Sequence, residues 1–147
     1  MNNFEFMNPT RLVFGKGQIA KLSGLVGKDA KILMTYGGGS IRKNGVYDQV
    51  MQALKGRDIT EFGGIEANPD YDTLMKAVQI CKEKGIDFIL AVGGGSIIDG
   101  TKFIATAAKC DCTDAWSIIT DKGFKLPKPI DFASVLTLPA TASEMNN

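Results

Sequence analysis

The pentapeptide GGGSI occurs twice in this 147-residue chain, at positions 37–41 and 93–97, and each copy directly follows an apolar run. The runs are ILMTY at 32–36 and FILAV at 88–92. A short continuous apolar run bounded by glycines reads as a strand buried on both faces, and such strands belong to parallel sheets. Glycine adopts positive φ and lets a backbone come close to a ligand. A helix starting just after the turn offers unpaired N–H groups and the positive end of its dipole, which suits phosphate. Neither copy is followed by the Gly-Lys-Ser/Thr of a P-loop, and neither fits GxGxxG. Two tight turns needed only for chain reversal would look the same individually. The repetition at strand ends favours a ligand edge able to hold a pyrophosphate and a nucleoside together.

The rest of the chain alternates in the same sense. Segments 30–36, 58–62, 88–92 and 131–138 read as strands. Segments 18–26, 43–54, 71–84 and 96–108 read as helices. Inward faces are Val46, Val50 and Leu54 on one helix, and Leu74, Ala77, Val78 and Cys81 on another. At the N-terminus, 4–6 and 11–14 flank Asn8-Pro9 as two short extended pieces. The stretch 118–130, with its lysines and prolines, reads as the longest loop, and 141–147 as the start of a further helix capped by Thr141 or Ser143. Strand–helix–strand crossovers are right-handed, so the expected fold is α/β: a Rossmann-like, doubly wound, mainly parallel sheet with N-terminal edge strands. Residues 1–147 are expected to form one dinucleotide-binding domain, truncated at its C-terminal end.

Several functions are disfavoured. Seventeen Lys+Arg against sixteen Asp+Glu give a net charge of +1, with no field to attract nucleic acid. The longest apolar runs are too short to span a bilayer, and the first residues show no signal-peptide pattern, so a cytoplasmic protein is expected. Three cysteines, Cys81, Cys110 and Cys112, do not make a disulfide scaffold, and Cys110 and Cys112 read as two thiols near a helix end. The chain has no histidine, so it can build neither a His-based triad nor a His-ligated metal site.

Asp99, three residues after Ser96, either complements a helix N-terminus or faces the ligand. Lys102 reads as its solvated i,i+3 partner. Asn68, held extended before Pro69, either projects its amide to a ligand or caps the next helix.

PTRLVFGKG at 9–17, TYGGGSIRKNGVYDQV at 35–50, FGGIEANPDYDTLMKAV at 62–78, LAVGGGSIIDGTKFIA at 90–105 and VLTLPATASEMN at 135–146 together resemble the iron-containing (group III) alcohol dehydrogenases. Within that family they look most like the NADPH-dependent butanol dehydrogenases and broad-range aldehyde reductases. The likeness covers essentially the whole chain, and GGGSxxD with a later PATxSE is a specific combination.

The resemblance implies a two-domain oxidoreductase. Its N-terminal domain binds NADP, and a helical C-terminal domain, absent here, holds iron or zinc through one Asp and three His. Hydride passes between NADP(H) and a small alcohol or aldehyde. It implies that Gly37, Gly38, Gly39 and Ser40 meet the adenosine ribose, and that Asn68 is a further cofactor contact. Gly94, Gly95, Ser96, Ile97 and Ile98 form the pyrophosphate turn, with Asp99 near the nicotinamide. Thr137, Leu138 and Thr141 lie on the adenine and ribose side, and Asn146 near the nicotinamide end.

NAD-preferring relatives carry an aspartate where this chain has Gly39. Gly39, with Ser40, Arg42 and Lys43 nearby, leaves room and positive charge for a 2′-phosphate, which implies NADP. Ala142 departs from the family's usual Gly and puts the Thr141 contact in doubt. The N-terminal segment reads either as an edge that pairs with a second copy, the homodimer that the resemblance implies, or as a hairpin folded over its own sheet. Two other functions fit the same residues, a non-catalytic nucleotide-binding remnant and a glycerol-dehydrogenase-like sister enzyme. Histidines in the sequence that follows would separate a dehydrogenase from the remnant, and the paired GGGS turns with PATASE favour the alcohol dehydrogenase branch over the sister enzyme.

Overall fold

A computed structural model of the chain describes residues 7–121 and 125–146. Four strands, β1 (Lys31–Tyr36), β2 (Asp58–Phe62), β3 (Phe88–Gly94) and β4 (Asp131–Leu138), form one sheet in the order β2-β1-β3-β4. Every pairing is parallel, with Ile32 opposite Ile59 on one side and Phe88 on the other. The helices are α1 (Leu22–Leu25, continuing a 3-10 turn at Gln18–Lys21), α2 (Ser40–Lys43), α3 (Val46–Ala53), α4 (Tyr71–Lys84), α5 (Gly95–Ala107) and α6 (Ser117–Thr120).

The strand pattern explains why helices cover both faces. Along β1 and β3, Ile32, Met34, Leu90 and Val92 point to one side, where they meet Leu22 of α1 and Val50 of α3. Leu33, Ile89 and Ala91 point to the other side, against α4 and α5. Side chains alternate across a strand, so a run apolar at every position supplies two cores at once. Thr35 interrupts the pattern, and its Oγ1 shares a buried 2.7 Å hydrogen bond with Thr101 of α5. Neither hydroxyl is left unsatisfied.

Expectation and structure differ in four places along the backbone. The helix expected over 43–54 is broken: α2 starts at Ser40, and Gly45, at φ +76°, separates it from α3. Positive φ is where glycine replaces a helical residue without strain. The edge strand expected at 11–14 is not part of the sheet, whose edges are β2 and β4. Leu12 and Phe14 are 70% and 92% exposed, so among the described residues the segment has nothing to bury them against. The other piece, 4–6, lies outside the described residues. Within 118–130 the short α6 runs to Thr120, so the loop begins later than expected. Finally, Thr141 and Ser143 cap no helix, because 143–145 is a turn closed by Met145 N–H to the Ala142 carbonyl at 2.8 Å.

Cys110 and Cys112 are not two free thiols but a disulfide, with Cα atoms 5.2 Å apart. It spans one residue beyond the end of α5 and ties no distant elements together. Among the described residues, no helix is long and apolar enough to cross a membrane.

Candidate nucleotide-binding site

In the order β2-β1-β3-β4 the chain leaves β1 in one direction and returns on its other side. The neighbours β1 and β3 therefore flank the switch point, and both carry GGGSI at their carboxyl ends. Ligands of doubly wound sheets bind in the crevice at that point. Here the crevice is a cavity of about 400 Å³. Gly37, Gly38 and Ser40 line it from the first turn, and Gly94, Gly95, Ser96 and Ile97 from the second. Thr137, Leu138 and Thr141 close it from the end of β4.

The second turn is held by close packing. A Cβ on Gly93 would sit 2.5 Å from Ile97 Cγ1, and one on Gly95 would sit 2.9 Å from Ser143 Oγ and 3.0 Å from Thr141 Oγ1. Ile97 also reaches the first turn, 3.3 Å from where a Gly37 Cβ would lie. No side chain caps the N-terminus of α5. The N-terminus of α4, by contrast, is capped by Asp70, which accepts from the Asp72 and Thr73 N–H groups at 2.9 and 3.3 Å. A thirteen-residue helix thus points uncapped N–H groups and its positive dipole end at the cavity.

The other candidates are placed as follows. Gly39, at φ +95°, is the N-cap of α2 and has open space around its missing Cβ. Ile98 is fully buried in the core beneath the turn. Asn68 is exposed, does not line the cavity, and leaves the capping of α4 to Asp70.

Asp99 does not pair with Lys102. Its Oδ2 accepts from Ser143 Oγ at 3.0 Å, while Lys102 donates to the Asn146 carbonyl at 2.8 Å and to the Asn146 side chain. Asn146 is therefore tied to α5 rather than free. Since Ser143 commits its one hydrogen to Asp99, the 2.9 Å Thr141–Ser143 bond has Thr141 as donor. Thr141 then faces a ligand with oxygen lone pairs only, suited to a ribose hydroxyl or an amide N–H rather than a phosphate oxygen. Asp99 does not line the 400 Å³ cavity; it borders a separate hollow of about 190 Å³ walled by Tyr71, Phe103 and Trp116.

Two features go beyond the sequence pattern. Ile65, Glu66 and Ala67 line the cavity from the loop after β2. Ser96 Oγ donates to the Ala67 carbonyl, which commits a hydroxyl expected to serve the ligand. Arg42 is also committed, in a 2.8 Å ion pair with Glu61. The position of the loop at the same sheet edge is legible in the sequence; which of its residues turn inward is not. Glu66 is held below the usual carboxylate range by its own backbone N–H and by Thr73. Burial pushes the Cys81 thiol up to about 12, so it stays protonated near neutral pH.

The sequence matches the iron-containing alcohol dehydrogenase profile over residues 9–147. The chain belongs to the iron-containing alcohol dehydrogenase family. It is 55% identical to the NADPH-dependent aldehyde reductase YqhD of Escherichia coli, over 99% of this chain and 38% of that protein. It is 50% identical to the probable NADH-dependent butanol dehydrogenase 1 of Bacillus subtilis, over 100% and 38%. The crystal structure of E. coli YqhD superposes with a TM-score of 0.94 at 55% identity, covering 99% of this chain and 37% of that one. The chain thus spans about 38% of the length of these family members.

Family membership accounts for the parallel sheet and its glycine turns. It does not supply a metal centre here. The chain has no histidine. Among the described residues no three His, Cys, Asp or Glu side chains cluster as metal ligands.

Proposed function

We propose that the cavity at the β1/β3 switch point binds the adenosine and pyrophosphate portions of NADP(H). In this reading the chain is the nucleotide-binding domain of an alcohol dehydrogenase or aldehyde reductase acting on a small primary alcohol or aldehyde. The observation that carries it is the pairing of the uncapped α5 N-terminus with a cavity lined by both glycine turns. Phosphate oxygens satisfy those N–H groups and complement the helix dipole. At Gly38, where an added Cβ would meet nothing within 4 Å, the missing Cβ lets the ligand approach the backbone.

Bound NADPH supplies the hydride that reduces an aldehyde. This chain's residues do the binding and orienting. The turn before α5 holds the pyrophosphate, Thr141 accepts from a ribose or amide donor, and Asp99, fixed by Ser143, faces the nicotinamide end. Among the described residues no donor set for the family's metal is present, so in this reading other residues would hold it. A homodimer is part of the same reading, through the segment carrying exposed Met7, Leu12 and Phe14. Exposed apolar side chains next to unpaired backbone suit pairing with a second copy.

Relatives differ in the coenzyme their names carry: NADPH for YqhD, NADH for the B. subtilis protein. The choice here rests on this chain's own first turn. Gly39 opens space where an aspartate would repel a 2′-phosphate. The test is calorimetric titration of the folded chain with NADP⁺ and NAD⁺, repeated on Gly39→Asp. NADP⁺ should bind more tightly to the native chain. The Gly39→Asp substitution should weaken NADP⁺ by about tenfold or more while sparing NAD⁺, as like charges brought together do. Tighter binding of NAD⁺ by the native chain would overturn the NADP assignment.

A further inference from the structure

Beside the first glycine turn, four side chains form a closed polar cluster. Glu61, near the end of β2, accepts from Arg42 Nη2 at 2.8 Å and from the Tyr36 hydroxyl at 3.0 Å through Oε2, and from the Tyr47 hydroxyl at 2.7 Å through Oε1. Arg42 Nη2 also donates to the Tyr36 hydroxyl at 3.1 Å. Its guanidinium lies 3.8 Å from the centroid of the Tyr47 ring and 5.6 Å from that of Tyr36.

The cluster is anchored to the turn. The Tyr36 ring lies where a Cβ on Gly63 would be, only 2.5 Å from the nearest ring carbon. The backbones are joined by Ile65 N–H to the Tyr36 carbonyl at 3.2 Å and Gly64 N–H to the Gly37 carbonyl at 3.1 Å. Arg42 is two residues beyond Ser40, on the same four-residue α2, and its own N–H donates to the Gly39 carbonyl at 3.1 Å.

Two consequences follow. The guanidinium is fixed in place, and its charge is cancelled by Glu61. Among the described residues this is the one ion pair, so Lys43 is left as the uncompensated cation of α2. Arg42 and Glu61 keep 48% and 32% of their side-chain surface exposed, so the pair is accessible to a charged ligand arriving at the turn.

We propose that Glu61 is a specificity-determining residue: by pinning and neutralising Arg42 beside Gly39 and Ser40, it limits how strongly a 2′-phosphate is preferred over a 2′-hydroxyl. This rests on the nucleotide reading above and adds to it a residue that touches no ligand. A guanidinium stays protonated in proteins, and the hydrogen bond to Tyr36 raises Arg42 further, so ionisation of Arg42 cannot provide the control. Only its compensation can.

The experiment compares two probes that differ by the 2′-phosphate alone, adenosine 2′,5′-bisphosphate and adenosine 5′-monophosphate. Each is titrated into the native chain, Glu61→Gln and Arg42→Gln, with circular dichroism to verify the fold. Gln at 61 keeps one acceptor oxygen for Arg42 and Tyr36, turns an N–H group toward the Tyr47 hydroxyl, and no longer cancels the charge. It should tighten the bisphosphate by about two- to fivefold, a gain that shrinks at high salt, and leave the monophosphate unchanged. Arg42→Gln should weaken the bisphosphate alone. A purely structural cluster would shift both probes together or neither, and an unchanged ratio in both variants overturns the proposal. Arg42→Gln keeps the question decidable if Glu61→Gln fails to fold. Failure of the native chain to bind either probe overturns the nucleotide reading itself, and this proposal with it.

Discussion

The two GGGSI copies have the same five residues and use them for different reasons. In the first, Gly39 takes φ +95° to start a four-residue helix, and added Cβ atoms on Gly38 and Gly39 would meet nothing within 4 Å. In the second, no glycine has positive φ, and Cβ atoms on Gly93 and Gly95 would collide with Ile97, Thr141 and Ser143. The first turn is built for conformation and open space. The second is built for close packing beneath a thirteen-residue helix. A motif repeated in sequence is therefore not a site repeated in structure.

The contrast breaks most visibly at Gly93. Gly93→Ala places a methyl 2.5 Å from Ile97 Cγ1, which is β-branched and wedged against the first turn. Overpacking of this kind costs about 1–3 kcal/mol. Urea denaturation should show the loss, with nucleotide binding falling alongside it. A stability unchanged from the native chain would mean that the second turn is as roomy as the first. A similar loss is expected when the hydroxyl pair tying β1 to α5 is broken. Thr101→Val leaves the buried Thr35 hydroxyl without its 2.7 Å partner, an effect of about 1–3 kcal/mol measurable by the same denaturation.

Legibility in the sequence follows the same division. The four strands, α4 and its inward residues are readable because each depends on local periodicity. The strand residues that divide between the two cores need only alternation. The N-terminal segment at 11–14 misleads because extended, apolar residues define a strand only when a partner exists, and pattern cannot supply one. At the site, the residues on the two turns stand out because glycine after a buried strand has a physical meaning. The roles of Ser143, Ser96 and Glu61 are hidden because they depend on which hydroxyl or carboxylate lies within hydrogen-bond reach after folding. The separation between Asp99 and Ser143, 44 residues, carries no sequence signal.

Conformation can be tested apart from packing with a reciprocal pair. Gly39 has positive φ and is glycine; Ala142 has φ +56° and is not. A side chain in the left-handed region costs about 1–2 kcal/mol, partly offset by the lower chain entropy of alanine when unfolded. Ala142→Gly should therefore stabilise the chain by about 1 kcal/mol, and Gly39→Ala should destabilise it by a similar amount. For a chain of this size each change moves Tm by about 3 °C, in opposite directions. Equal signs would show that one of the two turns does not hold its positive φ in solution.

The smallest effect on stability is the most informative about function. Gly38 has ordinary φ and nothing within 4 Å of an added Cβ, yet it lines the cavity. Nothing in the fold requires glycine there, so Gly38→Ala should leave Tm within experimental error. If a ribose or phosphate approaches the backbone at this point, the methyl stands in its way, and nucleotide affinity should fall by about tenfold, or about 1.4 kcal/mol. Stability retained with affinity lost separates a ligand's demand from the fold's, which Gly93 and Gly95 cannot do because they serve both. If affinity is also retained, the open space beside the first turn is not where the nucleotide lies. The site then reduces to the second turn and the N-terminus of α5.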